Sequence, residues 1–309
     1  MNDIQLRPME PADRVEVAEL IYLSTNTWYQ LRGRPPLLTG GPQTAALFFD
    51  VYEKLDPGCG VVAISPFSGR LVGSCFYHPR PTHVSLGIMN VHPSYFGSGA
   101  AKAMLQFIIQ QAERARKPLR LISSALNLDS FSLYTRCGFV PQGVFQDMLL
   151  TVPAEGLPFS VADSDQVREA TGADVPAIDR LERELSGISR THDYRYFLED
   201  RTGLWHASVY PGKQGDLAGF LVSLKHPAFT MLGPGLARDP HRAAALLLAE
   251  LNHCRGRTVL FLVPAQCAPL VQQMYNWGAR NCELHFSQVR GECPPVRGVQ
   301  MPTFLPESG

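Results

Sequence analysis

The stretch VHPSYFGSGAAKAML, residues 91–105, runs from a β-branched residue through Pro93 into residues with little or no side chain, and then into an apolar pattern of helical spacing. A helix starting near Gly99 leaves its first backbone N–H groups without intrahelical partners. Those donors, with the positive end of the helix dipole, make an anion site. Around Gly97, Gly99, Ala100 and Ala101 little side chain would keep a diphosphate from the amides of Gly97, Ser98, Gly99, Ala100, Ala101 and Lys102. A tight, closely packed strand-to-helix turn would use the same small residues, and the spacing leaves both readings open. His83 and Ser85 sit at alternating positions leading into this stretch, so both are expected to point toward a substrate cleft. His83 can take up a proton near neutral pH, with an ordinary surface histidine as the alternative.

The elements that position these residues read as mixed α/β. Strands are expected at 59–64, 70–78 and 84–91, a helix at 99–116, a strand at 119–123, a helix at 129–137 and a strand near 145–151. An earlier amphipathic helix begins near Asp13, after Pro8 and Pro11. Between it and a second helix, Trp28, Tyr29, Arg32 and Arg34 precede a run of Pro and Gly, in a loop that either shapes a site or is merely exposed.

Several phrases recur in the same order. Arg168 and Asp174 repeat the spacing of Arg7 and Asp13, and Leu217, Gly219, His226 and Pro227 repeat Leu71, Gly73, His78 and Pro79. This order indicates a duplicated domain, with the seam in TVPAEGLPFSVADSDQ and the halves at 1–153 and 154–309.

A second stretch, NLDSFSLYTRCGFVP, begins at Asn127. Together the two segments resemble GNAT-type N-acetyltransferases, whose V-x-P, aromatic-[RQ]-x-x-G-x-[GA] turn is followed by N-x-x-[AS]-x-x-L-Y-x-x-x-G-F. Val91, Pro93, Tyr95, Gly99 and Ala101 fill the first pattern; Asn127, Ser130, Leu133, Tyr134, Gly138 and Phe139 fill the second. Phe96 departs from it, standing where the family has Arg or Gln, and costs a side-chain contact to the pyrophosphate without removing the amide cradle.

The resemblance implies two tandem domains, each a central mixed, mostly antiparallel sheet flanked by helices. It implies acetyl-CoA or another acyl-CoA as donor, with the pyrophosphate at residues 97–102 and the pantetheine arm along Met89, Asn90 and Val91, in a gap between splayed strands. Asn127 would help to hold the arm. A primary amine of a small molecule or peptide then attacks the thioester directly, with Tyr134 as the acid for the departing thiolate. A phenol near pKa 10 and a thiol near 8.5 need only share a proton for that task.

In the second half, matching Pro93 to Pro234 and Gly138 to Gly278 puts Arg238, Pro240 and Arg242 where the first turn has Gly97, Gly99 and Ala101. The turn gains two cations and loses an amide donor. Met274 replaces Tyr134, and Tyr275 is one position out of register. The second domain is therefore expected to keep the fold and lose the donor site.

The bulk numbers exclude other classes. Lys plus Arg and Asp plus Glu both total 28 over 309 residues, so no net field collects nucleic acid or an anionic membrane. No segment reads as a membrane span or signal peptide, and the seven scattered cysteines form no CxxC pair, which points to reduced thiols, no metal and a cytoplasmic setting. A nucleotide-binding enzyme would carry GxxxxGK[ST], or GxGxxG after a strand, and neither is present. The rival from another class is a non-catalytic acyl-CoA-binding or partner-binding scaffold. Sequence gives no oligomeric state.

Overall fold

Pro8 ends strand β1 (Gln5–Pro8), and a single turn at Pro11–Asp13 turns the chain into helix α1 (Arg14–Gln30). In the computed structural model, which describes residues 4–307, the Arg7 guanidinium donates to both carboxylate oxygens of Asp13 at 2.7 Å, and Asp13 also accepts the Glu10 amide at 2.8 Å. The carboxylate thus satisfies one of the orphan donors at the entry to the helix. The chain forms two compact units. The first runs to Leu121 and includes Phe304–Glu307; the second is Ile122–Thr303.

The first unit continues through α2 (Ala46–Leu55), β2 (Gly60–Ile64), β3 (Leu71–Pro79), β4 (Val84–Val91), α3 (Ala100–Arg114) and the start of β5 (Leu119–Ser124). Its strand order is β1-β2-β3-β4-β5, antiparallel up to β4 and parallel between β4 and β5. Successive residues of a strand face opposite ways, and β3 shows this directly. Phe76 meets Phe49 of α2, while its neighbour Tyr77 meets Phe107 of α3. Gly73 lies on the α3 face, where an added Cβ would come within 2.8 Å of Met104 Cε, so the missing side chain is what lets the helix approach the sheet.

The second unit holds α4 (Leu128–Arg136), β6 (Val140–Thr151), β7 (Arg168–Glu169), α5 (Val175–Ser186), α6 (Thr191–Glu199), β8 (Trp205–Pro211), β9 (Leu217–His226), β10 (Phe229–Ala237), α7 (Pro240–His253), β11 (Thr258–Pro264), α8 (Ala268–Asn276), β12 (Arg280–Arg290) and β13 (Val299–Met301). The strand order is β12-β6-β11-β10-β9-β8-β7, with β13 on β10. Residues Ala243 to Leu248 of α7 are all buried, against Met148 and Leu150 of β6, Leu221 of β9 and Phe261 of β11. Gly219 repeats the device of Gly73: a Cβ there would lie 2.7 Å from Leu246 of α7.

Each unit is thus a mixed, mostly antiparallel sheet with helices against it, the expected α/β class. The sequence halves 1–153 and 154–309 do not coincide with the compact units. The reason is β6, which hydrogen-bonds along one edge to β11 and along the other to β12, so its backbone is satisfied entirely inside the second unit. Among the described residues no helix is long and apolar enough to cross a membrane, and no group of three or more His, Cys, Asp or Glu side chains could hold a metal ion.

Candidate active site

The turn between β4 and α3 places six of the expected residues in one run. Gly97 and Gly99 have φ of +78° and +92°, in the left-handed region that L side chains rarely adopt, and Gly99 is the N-cap of α3. A Cβ at either glycine would meet nothing within 4 Å. Close packing therefore does not explain the glycines; backbone conformation requires them, and the space above them is open. Among the described residues no acceptor takes the amides of Gly97, Gly99, Ala101 or Lys102, and Ala100 reaches only Ser98 Oγ, at 3.4 Å. Phe96 is 47% exposed at the edge of this cradle.

Met89, Asn90 and Val91 lead directly into the turn, half-buried on β4. The parallel ladder between β4 and β5 consists of two pairs, Val84–Leu119 and Ser85–Arg120. On the other edge, the β3 register slips between Cys75–Met89 and Tyr77–Leu86, which bulges β4 at Gly87 and Ile88. From Leu86 onward β4 thus has a ladder on its β3 side alone among the described residues, and the other edge offers peptide groups to an extended ligand. Asn90 Nδ2 donates to Ser24 Oγ of α1 at 2.7 Å. Directly opposite Asn90 in the ladder, Ser74 buries an Oγ with no protein partner among the described residues.

His83 and Ser85 are not placed as expected. Their exposures are 1% and 3%. The turn that carries His83 closes through Arg80 N–H onto the His83 carbonyl at 2.8 Å, and His83 Nδ1 lies 3.0 Å from Thr82 Oγ1. His83 therefore lies buried in the turn before β4 and does not point out into a cleft. Trp28 and Tyr29 are in α1, where Arg32 stacks over Trp28 at 3.9 Å, and the following loop is pinned by reciprocal Asn26–Leu38 hydrogen bonds of 2.9 Å.

In the second unit, Asn127 is the N-cap of α4, its Oδ1 accepting the Ser130 amide at 3.1 Å. Tyr134 is one turn further along, 6% exposed, its ring 5.7 Å from that of Phe139. Asn127, Ser130 and Tyr134 are thus held on one helix, whereas the residues 89–91 and 96–102 belong to the first unit.

The second turn is built differently from the first. Pro240 opens α7 without an amide, and the Asp239 side chain accepts the Arg242 amide at 3.0 Å. Arg238 donates twice to Glu184 at 2.6 Å, and the Arg242 guanidinium pairs with Asp239. Both cations are neutralised by carboxylates, one of which occupies the place an anion would take. A cavity of about 540 Å³ is lined by Asp239, Pro240, His241, Arg242, Pro269 and Gln273, so it too is faced by that acid. Gly278 has φ +90° beside +87° at Gly138, which fixes the register between the halves; in that register Met274 lies fully buried where Tyr134 would be.

Sequence reasoning missed a part-buried pair in the first unit. The Tyr52 hydroxyl of α2 donates to the Glu307 carboxylate and lies 3.3 Å from the Phe304 carbonyl. Burial pushes the Glu307 carboxyl up to about 8, against the pull of the Tyr52 hydrogen bond. Its partners are separated by most of the chain, so no local pattern announces it.

Residues 24–139 match the family model described as "Acetyltransferase (GNAT) family", and residues 178–289 match that described as "Acetyltransferase (GNAT) domain". Among curated proteins, the UPF0157 protein YqkA of Bacillus subtilis (strain 168) is 33% identical over 72 residues, which are 23% of this chain and 21% of that protein. The chain thus matches about a fifth of that relative's length. Among solved structures, a putative acetyltransferase from Pyrococcus horikoshii superposes with a TM-score of 0.73 at 15% identity, covering 99% of this chain and 96% of that one. A tandem GNAT protein from the clavulanic acid biosynthesis pathway superposes with a TM-score of 0.62 at 16% identity, covering 93% and 98%.

Proposed function

The chain belongs to the acetyltransferase (GNAT) family in tandem form, an acyl-CoA-dependent N-acyltransferase by that membership, and from this premise we propose that it moves an acetyl group from acetyl-CoA to a primary amine through its first cradle alone. The observation that carries the proposal is the set of unclaimed amides at Gly97, Gly99, Ala101 and Lys102, with open space above Gly97 and Gly99. A diphosphate placed there satisfies donors that otherwise face only water. Met89, Asn90 and Val91 offer the bare β4 edge to the amide-bearing pantetheine arm, as an added strand would use it.

The acceptor nitrogen must be neutral to attack, the carbonyl oxygen must be polarised, and the thiolate needs a proton. Tyr134 supplies that proton, with Asn127 and Ser130 fixing the start of its helix. The N–C bond forms as the C–S bond breaks, with no covalent enzyme intermediate. The polar side chains on the α1 face of the sheet, Ser24, Ser74 and Asn90, suit an amine of a small molecule or peptide. The halves 1–153 and 154–309 are proposed as the duplicated repeats, the second being a scaffold. A cytoplasmic setting accords with the seven free cysteines.

Calorimetry with acetyl-CoA, followed by free-thiol release over a panel of primary amines, tests this. Absence of acetyl-CoA binding would overturn it. Binding without turnover on any amine would favour the second reading, a non-catalytic acyl-CoA-binding or partner-binding scaffold. The exposed Phe96, in place of a side chain that grips phosphate, is the feature in that reading's favour.

A further inference from the structure

Residues Phe304–Glu307 leave the second unit and cluster with the first, with Leu305 fully buried there. This brings Glu307 onto Tyr52 of α2. The Tyr52 ring packs 4.7 Å from Phe76 of β3 and 4.7 Å from the imidazole of His78, and the backbone amide of Ile88 lies against its hydroxyl. Ile88 belongs to the bulge in β4, next to where the β4–β5 ladder stops. A carboxyl has therefore been carried from the far end of the sequence to the one irregular step of the strand proposed to bear the thioester.

We propose that Glu307 is the base of the reaction, accepting the proton of the acceptor ammonium, with Tyr52 as its positioning residue. This inference rests on the acyl-transfer function proposed above. The acceptor R–NH₃⁺ gives one proton to the Glu307 carboxylate and becomes R–NH₂. The amine electron pair forms the C–N bond, the C–S electron pair leaves with the thiolate, and the thiolate takes one proton from Tyr134, which recovers it from the attacking nitrogen through solvent. Glu307 returns its own proton to water. The net products are an amide, CoA thiol and one proton.

A buried carboxyl that ionises near neutrality is matched to this task, whereas an ordinary exposed glutamate is too weak a base. Burial holds Glu307 up at about 8. The groups that face it are Tyr52, whose phenol burial and Glu307 push well up; Cys75 of β3, whose thiol burial raises; and, through the Tyr52 ring, His78 with Asp56 and Arg80. Asp56 sits 2.6 Å from His78 Nδ1 and 2.7 Å from Arg80, so its charge is already paired. None of these groups is a free cation that would hold Glu307 ionised at low pH.

The test uses the full chain, acetyl-CoA, and two small probes: n-propylamine, an ammonium at pH 7, and hydroxylamine, already neutral there. With n-propylamine the wild-type rate should rise with pH along a limb centred near 8. Glu307→Gln should remove that limb and lower kcat/KM about 100-fold, while acetyl-CoA binding and the hydroxylamine rate stay within about threefold. Tyr52→Phe should shift the limb while leaving donor affinity intact. If Glu307→Gln keeps the limb, or if both nucleophiles lose equally, the inference is overturned. If wild type does not bind acetyl-CoA, the acyl-transfer function itself fails. If neither probe is acetylated, infrared titration of the Glu307 carboxyl decides: a midpoint in the ordinary carboxylate range sinks the proposal, and one near 8 supports it.

Discussion

Arg168 and Asp174 meet through two hydrogen bonds of 2.9 and 2.6 Å, the same paired contact that Arg7 makes with Asp13 in the other half of the chain. Asp174 also accepts the Thr171 amide at 2.8 Å, so it closes the helix entry and anchors the strand before it. The Arg168 hydrogen bond is the main cause that holds its carboxyl down at about 2, against 3.8 ordinarily. A depressed pKa means that the unfolded chain binds the proton more tightly, so this stability is present above about pH 4 and is lost as pH falls toward 2. Asp174→Asn is expected to cost about 1 kcal/mol at pH 7, after allowance for solvent screening at a partly exposed pair. Urea unfolding at pH 7 and pH 3 should show the variant closing on wild type at the lower pH.

Tyr134→Phe keeps the ring that packs on Phe139 and removes only the hydroxyl. Turnover is expected to fall about 100-fold while acetyl-CoA affinity changes by less than about twofold. Calorimetry beside steady-state thiol release separates the two effects, and an equal loss in both would remove Tyr134 from the acid role.

Gly99→Pro acts at the cradle. It deletes one amide donor and demands a φ near −65° where the chain has +92°. Donor affinity should drop at least about tenfold, with a loss of stability of about 1–3 kcal/mol from the refused backbone angle. Isothermal titration at a temperature where circular dichroism reports a folded chain checks it.

Arg238 and Arg242 are committed to Glu184 and Asp239. Replacing both by alanine should leave acetyl-CoA affinity and a stoichiometry of one per chain unchanged. A second equivalent bound by wild type and lost in that variant would restore the second cradle as a working site.

Local chemistry was open to reading in the residue order. A run of small residues and a helix start that exposes its amides are each decided within a few residues, so spacing reveals them, whereas the Asn127 cap on the Ser130 amide came only with the structure. The repeat was equally plain, because Gly73 and Gly219 answer the same demand, close approach of a helix to a strand. The substitution of Arg238, Pro240 and Arg242 into the second turn was also plain in the residue types, although the carboxylates that pair with Arg238 and Arg242 were not.

Tertiary structure alone decided where distant segments pair. The alternation at residues 83–85 gave His83 an outward direction, but only the folded chain decides that it is buried in the turn before β4. Nothing in the run Val140–Thr151 tells which strands will take its two edges, because ladder hydrogen bonds are made by backbone groups common to every residue. Likewise a glutamate at 307 is ordinary in sequence. Its raised pKa comes from burial beside a phenol contributed by residue 52, and burial is a property of the folded chain.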